Sequence, residues 1–465
     1  MFNTRREFFW GYTAQFLNVG IGIIFLPIIM HYLSTEDVGL WFVFLTLAIL
    51  AQLFEMGLST TLSRNISYVY AGAQSLSTSG LNKSDNGSLN LKLLVNLIGA
   101  ARWMFRRISF LAALFLLLGG SLYLASVIPN FKDRPELYIG WLFFVVGNIY
   151  TLYYGYLNSI LQGRGDITQT NKVVILSRSI YMVTGGILVV AGFRLLGLGI
   201  ACFLASIGSR WLVRKYVYSL PHQNLNNLEI NQEEVKKIVK TLWFNSSRLG
   251  IVAIGTFLIW RGNILIASSF LGLKEAASYG LAIQVLFLLY AIVNVPINMS
   301  IPKINSFFLQ GKVDIVYKIF SSNLALSLAL YILISICIYF FGDFILFKLG
   351  SSTQLPEKHI LLYMMVVFFL ETNHSICASL LMSSNQVPFD KSIVVSGIFI
   401  FIGSFIFAPI LGILGMVMSQ NLTQMVYNNW KWPFEVSKIF KVSYIVILKD
   451  GLYFLIKRSA KDNPQ

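Results

Sequence analysis

Apolar runs of about 20 residues recur along the whole chain, separated by short polar or basic stretches. That length suits a helix crossing a hydrocarbon layer about 30 Å thick, whereas β-barrel strands would show about ten residues of alternating polarity. The pattern predicts twelve spans, near 8–30, 38–60, 109–128, 138–160, 173–193, 195–213, 243–271, 277–299, 322–346, 359–383, 392–408 and 409–430. Pro409 divides the last two, and Pro296 in VNVPINM (293–299) is placed to interrupt the eighth. The predicted fold class is an all-α integral membrane protein, with about 12 transmembrane helices in two pseudo-symmetric six-helix lobes around a central cavity. The lobes are 1–213 and 241–430, joined by a cytoplasmic linker at 214–240 and followed by a basic cytoplasmic tail at 431–465.

An internal repeat supports the two lobes. LSTEDVGLW (33–41) follows the first span and LGLKEAASY (271–279) follows the seventh, with small and aromatic residues at matching positions. A second echo sets NSILQGRGDI (158–167) beside ASLLMSSNQV (378–387), each ending an outside-to-inside span. The GRGD of the first reads as a turn, with glycine supplying the bend and Asp166 capping the next helix.

Composition fits this picture. Of the 465 residues 56% are hydrophobic and 12% charged, with a mean hydropathy of +0.69; soluble domains carry about 25% charged residues. The net charge of +16 reflects topology and not nucleic-acid binding, because most of the 36 Lys and Arg fall in segments that are internal when both termini are cytoplasmic. The first segment is too long, and lacks the small-residue cleavage site, to read as a cleaved signal peptide. Cys202, Cys337 and Cys377 lie far apart in apolar segments and predict neither a disulfide nor a metal site. Within 62–107, LKLLVNLIGAARWMFRR predicts an interfacial amphipathic helix with Arg102, Arg106 and Arg107 toward lipid headgroups, or a solvated basic loop. NQEEVKKIVK in the linker predicts a short surface helix, and the apolar runs of the tail predict a segment lying along the inner face.

Charges inside the spans are the candidate chemistry. An ionisable side chain near the bilayer centre costs about 2.5 kcal/mol or more on insertion scales, so it usually faces a protein-lined or watery cavity. Arg261 lies deep in the seventh span, where its side chain cannot easily reach water. Arg248 and Arg178 lie nearer inner ends, where extension to the headgroups competes with a cavity role. A cavity lined by these three arginines favours an anion. Glu371 lies mid-way along the tenth span with His374 one turn on and on the same face, an arrangement that suits ion coupling or a structural ion pair with an arginine such as Arg261. Glu55, at the inner end of the second span, is expected to pair with Arg64. The fourth span carries Asn148, Tyr150, Tyr153, Tyr154, Tyr156 and Asn158, and the first carries Gln15 and Asn18 on one face. Such groups contact sugar rings, but also pack helices and line membrane interfaces.

The chain resembles the Wzx-type O-antigen and polysaccharide repeat-unit flippases of the multidrug/oligosaccharidyl-lipid/polysaccharide exporter superfamily. LSTEDVGLWFVFLTLAILAQLFEMGLSTTLSRNIS after the first span carries the likeness, with LQGRGDITQTNKV after the fourth and LGLKEAASYGLA after the seventh. The family often has Asp where this chain has Glu55. The resemblance implies a protein of the bacterial cytoplasmic (inner) membrane that serves polysaccharide, including lipopolysaccharide, assembly. Its cargo would be an undecaprenyl-diphosphate-linked oligosaccharide moved from the cytoplasmic to the periplasmic leaflet by alternating access, with proton or sodium movement resetting the cycle. Arg261, Arg248 and Arg178 would then meet the diphosphate; Tyr150, Tyr153, Tyr154, Asn148, Gln15 and Asn18 the glycan; and Glu371 with His374 the coupling ion. Other polysaccharide-assembly membrane proteins are the expected partners; no cofactor, metal or nucleic acid is implied. A drug or cation antiporter of the same superfamily is the alternative. A lipid-linked polysaccharide polymerase is disfavoured by the short outer loops, and no G-x-x-x-x-G-K-[ST] phosphate loop is present to drive a nucleotide pump.

Overall fold

The computed structural model describes residues 9–11, 13–14, 17, 25–76, 89–128, 134–218, 231–383 and 390–461. Every regular element among them is helical, and ten helices are long and apolar enough to cross a membrane. The chain divides into two compact units, Met1–Phe257 and Leu258–Gln465.

In the first unit, α1 (Leu26–Tyr32) closes the first predicted span, most of which lies outside the described residues. The LSTEDVGLW motif is a helix start. The Ser34 hydroxyl accepts from Asp37 N at 3.2 Å, and Glu36 and Asp37 occupy the positive first turn of α2 (Thr35–Gln52). The second predicted span is not one helix. A short 3-10 turn, Leu53–Glu55, ends in left-handed Met56 (φ 48) and Gly57 (φ 70), and α3 (Leu58–Tyr70) leaves from there. A Cβ on Gly57 would sit 2.7 Å from that of Leu249, so this break needs glycine for both its backbone and its neighbour.

The predicted interfacial helix is instead the first half of a single helix, α4 (Leu91–Val127), in which Arg102, Arg106 and Arg107 occupy the exposed side. Asn96, wholly buried on the opposite side, donates to Glu234 at 2.5 Å and accepts from Asn231 N at 3.0 Å. The basic stretch predicted as a separate surface helix therefore opens α9 (Gln232–Trp260), which runs unbroken into the seventh span. Between them lie α5 (Pro135–Tyr153), α6 (Gly155–Gly163), α7 (Ile167–Val190) and α8 (Arg194–Tyr218). In the turn before α7, Gly165 is left-handed (φ 83), but Asp166 does not cap the helix; its carboxylate pairs with Arg164.

Helices α5 and α8 touch backbone to backbone. A Cβ on Gly199 would lie 2.2 Å from the Gly140 carbonyl oxygen, and one on Gly147 would lie 2.9 Å from Phe203 Cα. Small residues allow such approach between apolar helices that gain nothing from avoiding lipid. Gly199→Val is expected to destabilise the unit by about 1–3 kcal/mol through overpacking. Gly186→Ala, with open space at its Cβ, is the control. Thermal unfolding in detergent should lower the Tm of the first and not of the second; equal Tm values would contradict the close approach.

The second unit holds α10 (Gly262–Phe270), α11 (Leu273–Val293), α12 (Val295–Leu309), α13 (Val313–Lys348), α14 (Lys358–Ser383), α15 (Asp390–Leu411), α16 (Ile413–Val426), α17 (Asn428–Phe440) and α18 (Tyr444–Lys461). The repeat motif LGLKEAASY again opens a helix, turning at Gly272 (φ 92) into α11, with Ala277 and Tyr279 buried as Gly39 and Trp41 are in α2. Its second echo, 378–387, lies partly outside the described residues. The eighth span is interrupted at Asn294, with Pro296 in the first turn of α12. The last two spans divide at Gly412 (φ 63) and not at Pro409, which is accommodated inside α15.

The basic tail is packed. Ile447 joins Val316, Phe320, Leu324, Ile376 and Trp432 in one buried cluster. A Cβ on Gly451 would lie 2.2 Å from Ser321 O, and Tyr317 donates to Asp450 at 2.5 Å.

Candidate substrate and coupling sites

In the second unit, Arg261 is the residue at which the seventh span breaks. Its backbone (φ −125, ψ −29) leaves the helix between α9 and α10, where Gly262 and Asn263 are weak helix formers. The guanidinium lies 4.8 Å over the Phe287 ring. Trp260, beside it, packs edge-on to Phe368 at 5.2 Å and against Phe287 at 5.1 Å. Among the described residues no carboxylate comes within ion-pair distance of Arg261. The alternative in which Glu371 neutralises it is therefore not realised.

Glu371 is held elsewhere. At 2% exposure its carboxylate faces His374 Nε2 at 3.4 Å and accepts from Gln420 Nε2 at 3.5 Å. His374 Nδ1 meets Asn429 Oδ1 at 2.8 Å. Behind them the Asn428 amide donates to Gln424 at 2.6 Å and Ser396 at 2.9 Å, and its oxygen accepts from Trp432 at 3.2 Å. The sequence pairing of Glu371 with His374 thus stands within a polar network spanning α14, α15, α16 and α17. Beside it, a cleft of about 590 Å³ opens between Asn373, Asn429, Trp430, Phe434, Ser437 and Tyr444.

In the first unit the aromatic residues of the fourth span do come together. Tyr154 sits at the break between α5 and α6, edge-on to Tyr150 at 4.9 Å and Tyr153 at 4.7 Å. The Arg214 guanidinium lies 4.0 Å over the Tyr154 ring. Asn148 is set apart, its amide bonded to Phe144 O at 2.8 Å and near Cys202 Sγ at 3.7 Å, as a helix-packing group is. Gln15 and Asn18 lie outside the described residues. Arg178 is exposed on α7, within electrostatic reach of Tyr181 and Cys202. Arg248 is exposed on α9, 4.8 Å over Phe244 one turn earlier.

One cation of this unit is buried, and a count of charges per span does not single it out. Arg210, 6% exposed, donates from its two terminal nitrogens to the Asn158 amide oxygen at 2.9 and 3.3 Å when that amide is turned toward it. It lies within electrostatic reach of Tyr150 and Glu55, and its Nε has no partner among the described residues. Glu55 accepts from Ser59 N at 2.9 Å, and among the described residues it forms no ion pair with Arg64. The signal for Arg210 was its spacing: it follows Ala205, Ser206 and Ser209 on the small-residue face by which α8 packs, all buried.

Solved structures match this architecture, among them two transporters. An inward-facing multidrug resistance MATE family transporter of the MOP superfamily aligns over 92% of this chain and 96% of its own, with TM-score 0.66 and 14% identity. The lipid II flippase MurJ, in an inward closed conformation, aligns over 99% of this chain and 93% of its own, with TM-score 0.63 and 13% identity. The chain has the fold of the MOP-superfamily transporters. With ten helices among the described residues long and apolar enough to cross a membrane, it is a multi-pass membrane protein. No family model and no curated protein sequence matches it.

Proposed function

We propose that this protein is a flippase of the polysaccharide repeat-unit type, a non-enzymatic transporter. It moves an undecaprenyl-diphosphate-linked oligosaccharide from the cytoplasmic to the periplasmic leaflet of a bacterial inner membrane, with both termini cytoplasmic. The observation that carries the reading is Arg261: a cation at a helix break between two apolar segments, seated on an aromatic ring, with no carboxylate among the described residues to neutralise it. Guanidinium groups form paired bonds to phosphate oxygens, so an arginine held this way is ready for an anionic head group. Arg248, Arg178 and the buried Arg210 add cations, and Tyr150, Tyr153 and Tyr154 offer aromatic faces to sugar rings. The fold shared with a lipid II flippase supports the same class of cargo. Glu371 with His374 is the coupling pair, for a proton or a sodium ion.

A drug or cation antiporter is the second reading, favoured by the buried Glu371 carboxylate and by the fold shared with a multidrug transporter. Native mass spectrometry of the detergent-purified protein separates them. The flippase reading expects undecaprenyl diphosphate to bind in preference to the monophosphate, and the preference to disappear in Arg248→Ala/Arg261→Ala. Equal binding of the two lipids, with tight binding of a lipophilic cation, would move the conclusion to the antiporter.

A further inference from the structure

The proton arrangement of the Glu371–His374 pair is linked to the way the Asn429 amide faces. Asn429 Oδ1 stands 2.8 Å from His374 Nδ1; with the amide oxygen toward the ring Nδ1 carries a hydrogen, and with the amide nitrogen toward the ring Nδ1 is bare. In the oxygen-in orientation a neutral ring leaves Nε2 a lone pair, facing the Glu371 carboxylate across 3.4 Å. Two acceptors facing each other in a buried site require a proton between them. The oxygen-in orientation of Asn429 thus goes with the proton-loaded form: Nδ1–H to Asn429, and a second proton held between Nε2 and Oε2.

We propose that Asn429 is the positioning residue of a proton-exchange site, and that the neighbouring cleft is where the proton is exchanged with water. On release, the Nδ1 proton passes to water in the cleft and the Asn429 amide turns to donate its Nδ2–H to the vacated Nδ1 lone pair. The second proton stays as Nε2–H against the Glu371 carboxylate. One proton leaves, every buried atom keeps a partner, and the charge of the pair falls by one. The amide has room to turn: Asn429 lines the cleft, and its Nδ2 bonds to no described residue. This inference deepens the coupling role proposed for Glu371 and rests on that reading only for its link to transport.

Neighbouring groups leave the exchange to this pair. On α11, the Tyr290 hydroxyl is bonded to Ser375 at 2.5 Å, and on α13 Tyr331 donates to Met365 O at 2.8 Å. On α14 itself Tyr363 accepts from Asn421 of α16, whose Gln420 and Gln424 do not titrate. On α17, Lys431 holds the Glu435 carboxyl below the usual carboxylate range through a 2.8 Å ion pair. On α18, burial pushes the Tyr444 hydroxyl well above its ordinary value. Neither Glu435 nor Tyr444 changes charge near neutral pH.

Nitrogen NMR of the full-length protein in nanodiscs, with labelled histidine, tests this. The chain has four histidines, and His374→Gln assigns the relevant signal. His374 should show Nδ1–H at low pH and a bare Nδ1 with Nε2–H at high pH. Asn429→Asp, a permanent acceptor with a negative charge, should keep the Nδ1 proton to a pH about one unit higher or more. Should that variant not fold, Asn429→Leu offers neither donor nor acceptor, and its Nδ1 should lose the proton at lower pH than the wild type. A bare Nδ1 at all pH values, or titration indifferent to residue 429, overturns the proposal. The readout does not use transport. An Asn429-dependent titration in a protein whose transport ignores the proton gradient would support this inference and remove the coupling role.

Discussion

Arg261→Ala is expected to leave a folded protein whose transport of a lipid-linked diphosphate falls about ten- to a hundredfold. A hydrogen bond to a charged group contributes about 1.5–3 kcal/mol, and a factor of ten in rate corresponds to about 1.4 kcal/mol. Folding should survive, because Arg261 sits at a break in the helix and, among the described residues, neutralises no carboxylate. Arg261→Lys separates charge from geometry: a lysine restores a point charge without the paired donors and should recover only part of the rate. Initial rates in proteoliposomes, with Tm as the control for folding, measure both. Normal rates in the two variants would mean that no phosphate meets this arginine.

The second large effect is at Glu371. Glu371→Gln keeps the size and a hydrogen-bonding group facing His374 but removes the carboxylate. Transport should then proceed at the same rate with and without a proton gradient, whereas the wild type should slow when the gradient is collapsed. Acidifying one side of the vesicle and adding a protonophore gives the comparison directly. A variant that still slows with the protonophore would show that the coupling proton binds elsewhere.

Much of the fold was legible because a bilayer imposes one length on every span. The helix starts at Thr35 and Leu273 were marked by the same repeat, and Glu371 with His374 was readable as one turn of one helix. What escaped depends on contacts between distant segments. Nothing local distinguishes Leu91–Val127 from an interfacial helix followed by a span. Its continuity follows from a buried face that includes Asn96, bonded to residues far along the chain. The break at Met56–Gly57 is tied to α9, whose Gly250 would bring a Cβ within 2.5 Å of that of Met56. Arg210 was hidden for a similar reason. Near the end of a span an arginine is expected to extend toward water, yet this one lies on the packed face of α8 with Asn158 against it. Asn429 was invisible, being one of two adjacent asparagines just before a segment read as a basic tail.

The central claim is that the cargo is an anionic lipid-linked glycan. Its most direct test is translocation of a fluorescent undecaprenyl-diphosphate oligosaccharide in proteoliposomes, wild type beside Arg248→Ala/Arg261→Ala. The account predicts that the wild type delivers the labelled head group to the opposite leaflet and that the double variant does not. A folded wild type that leaves the lipid in place, while exporting a cationic drug against a proton gradient, would contradict it.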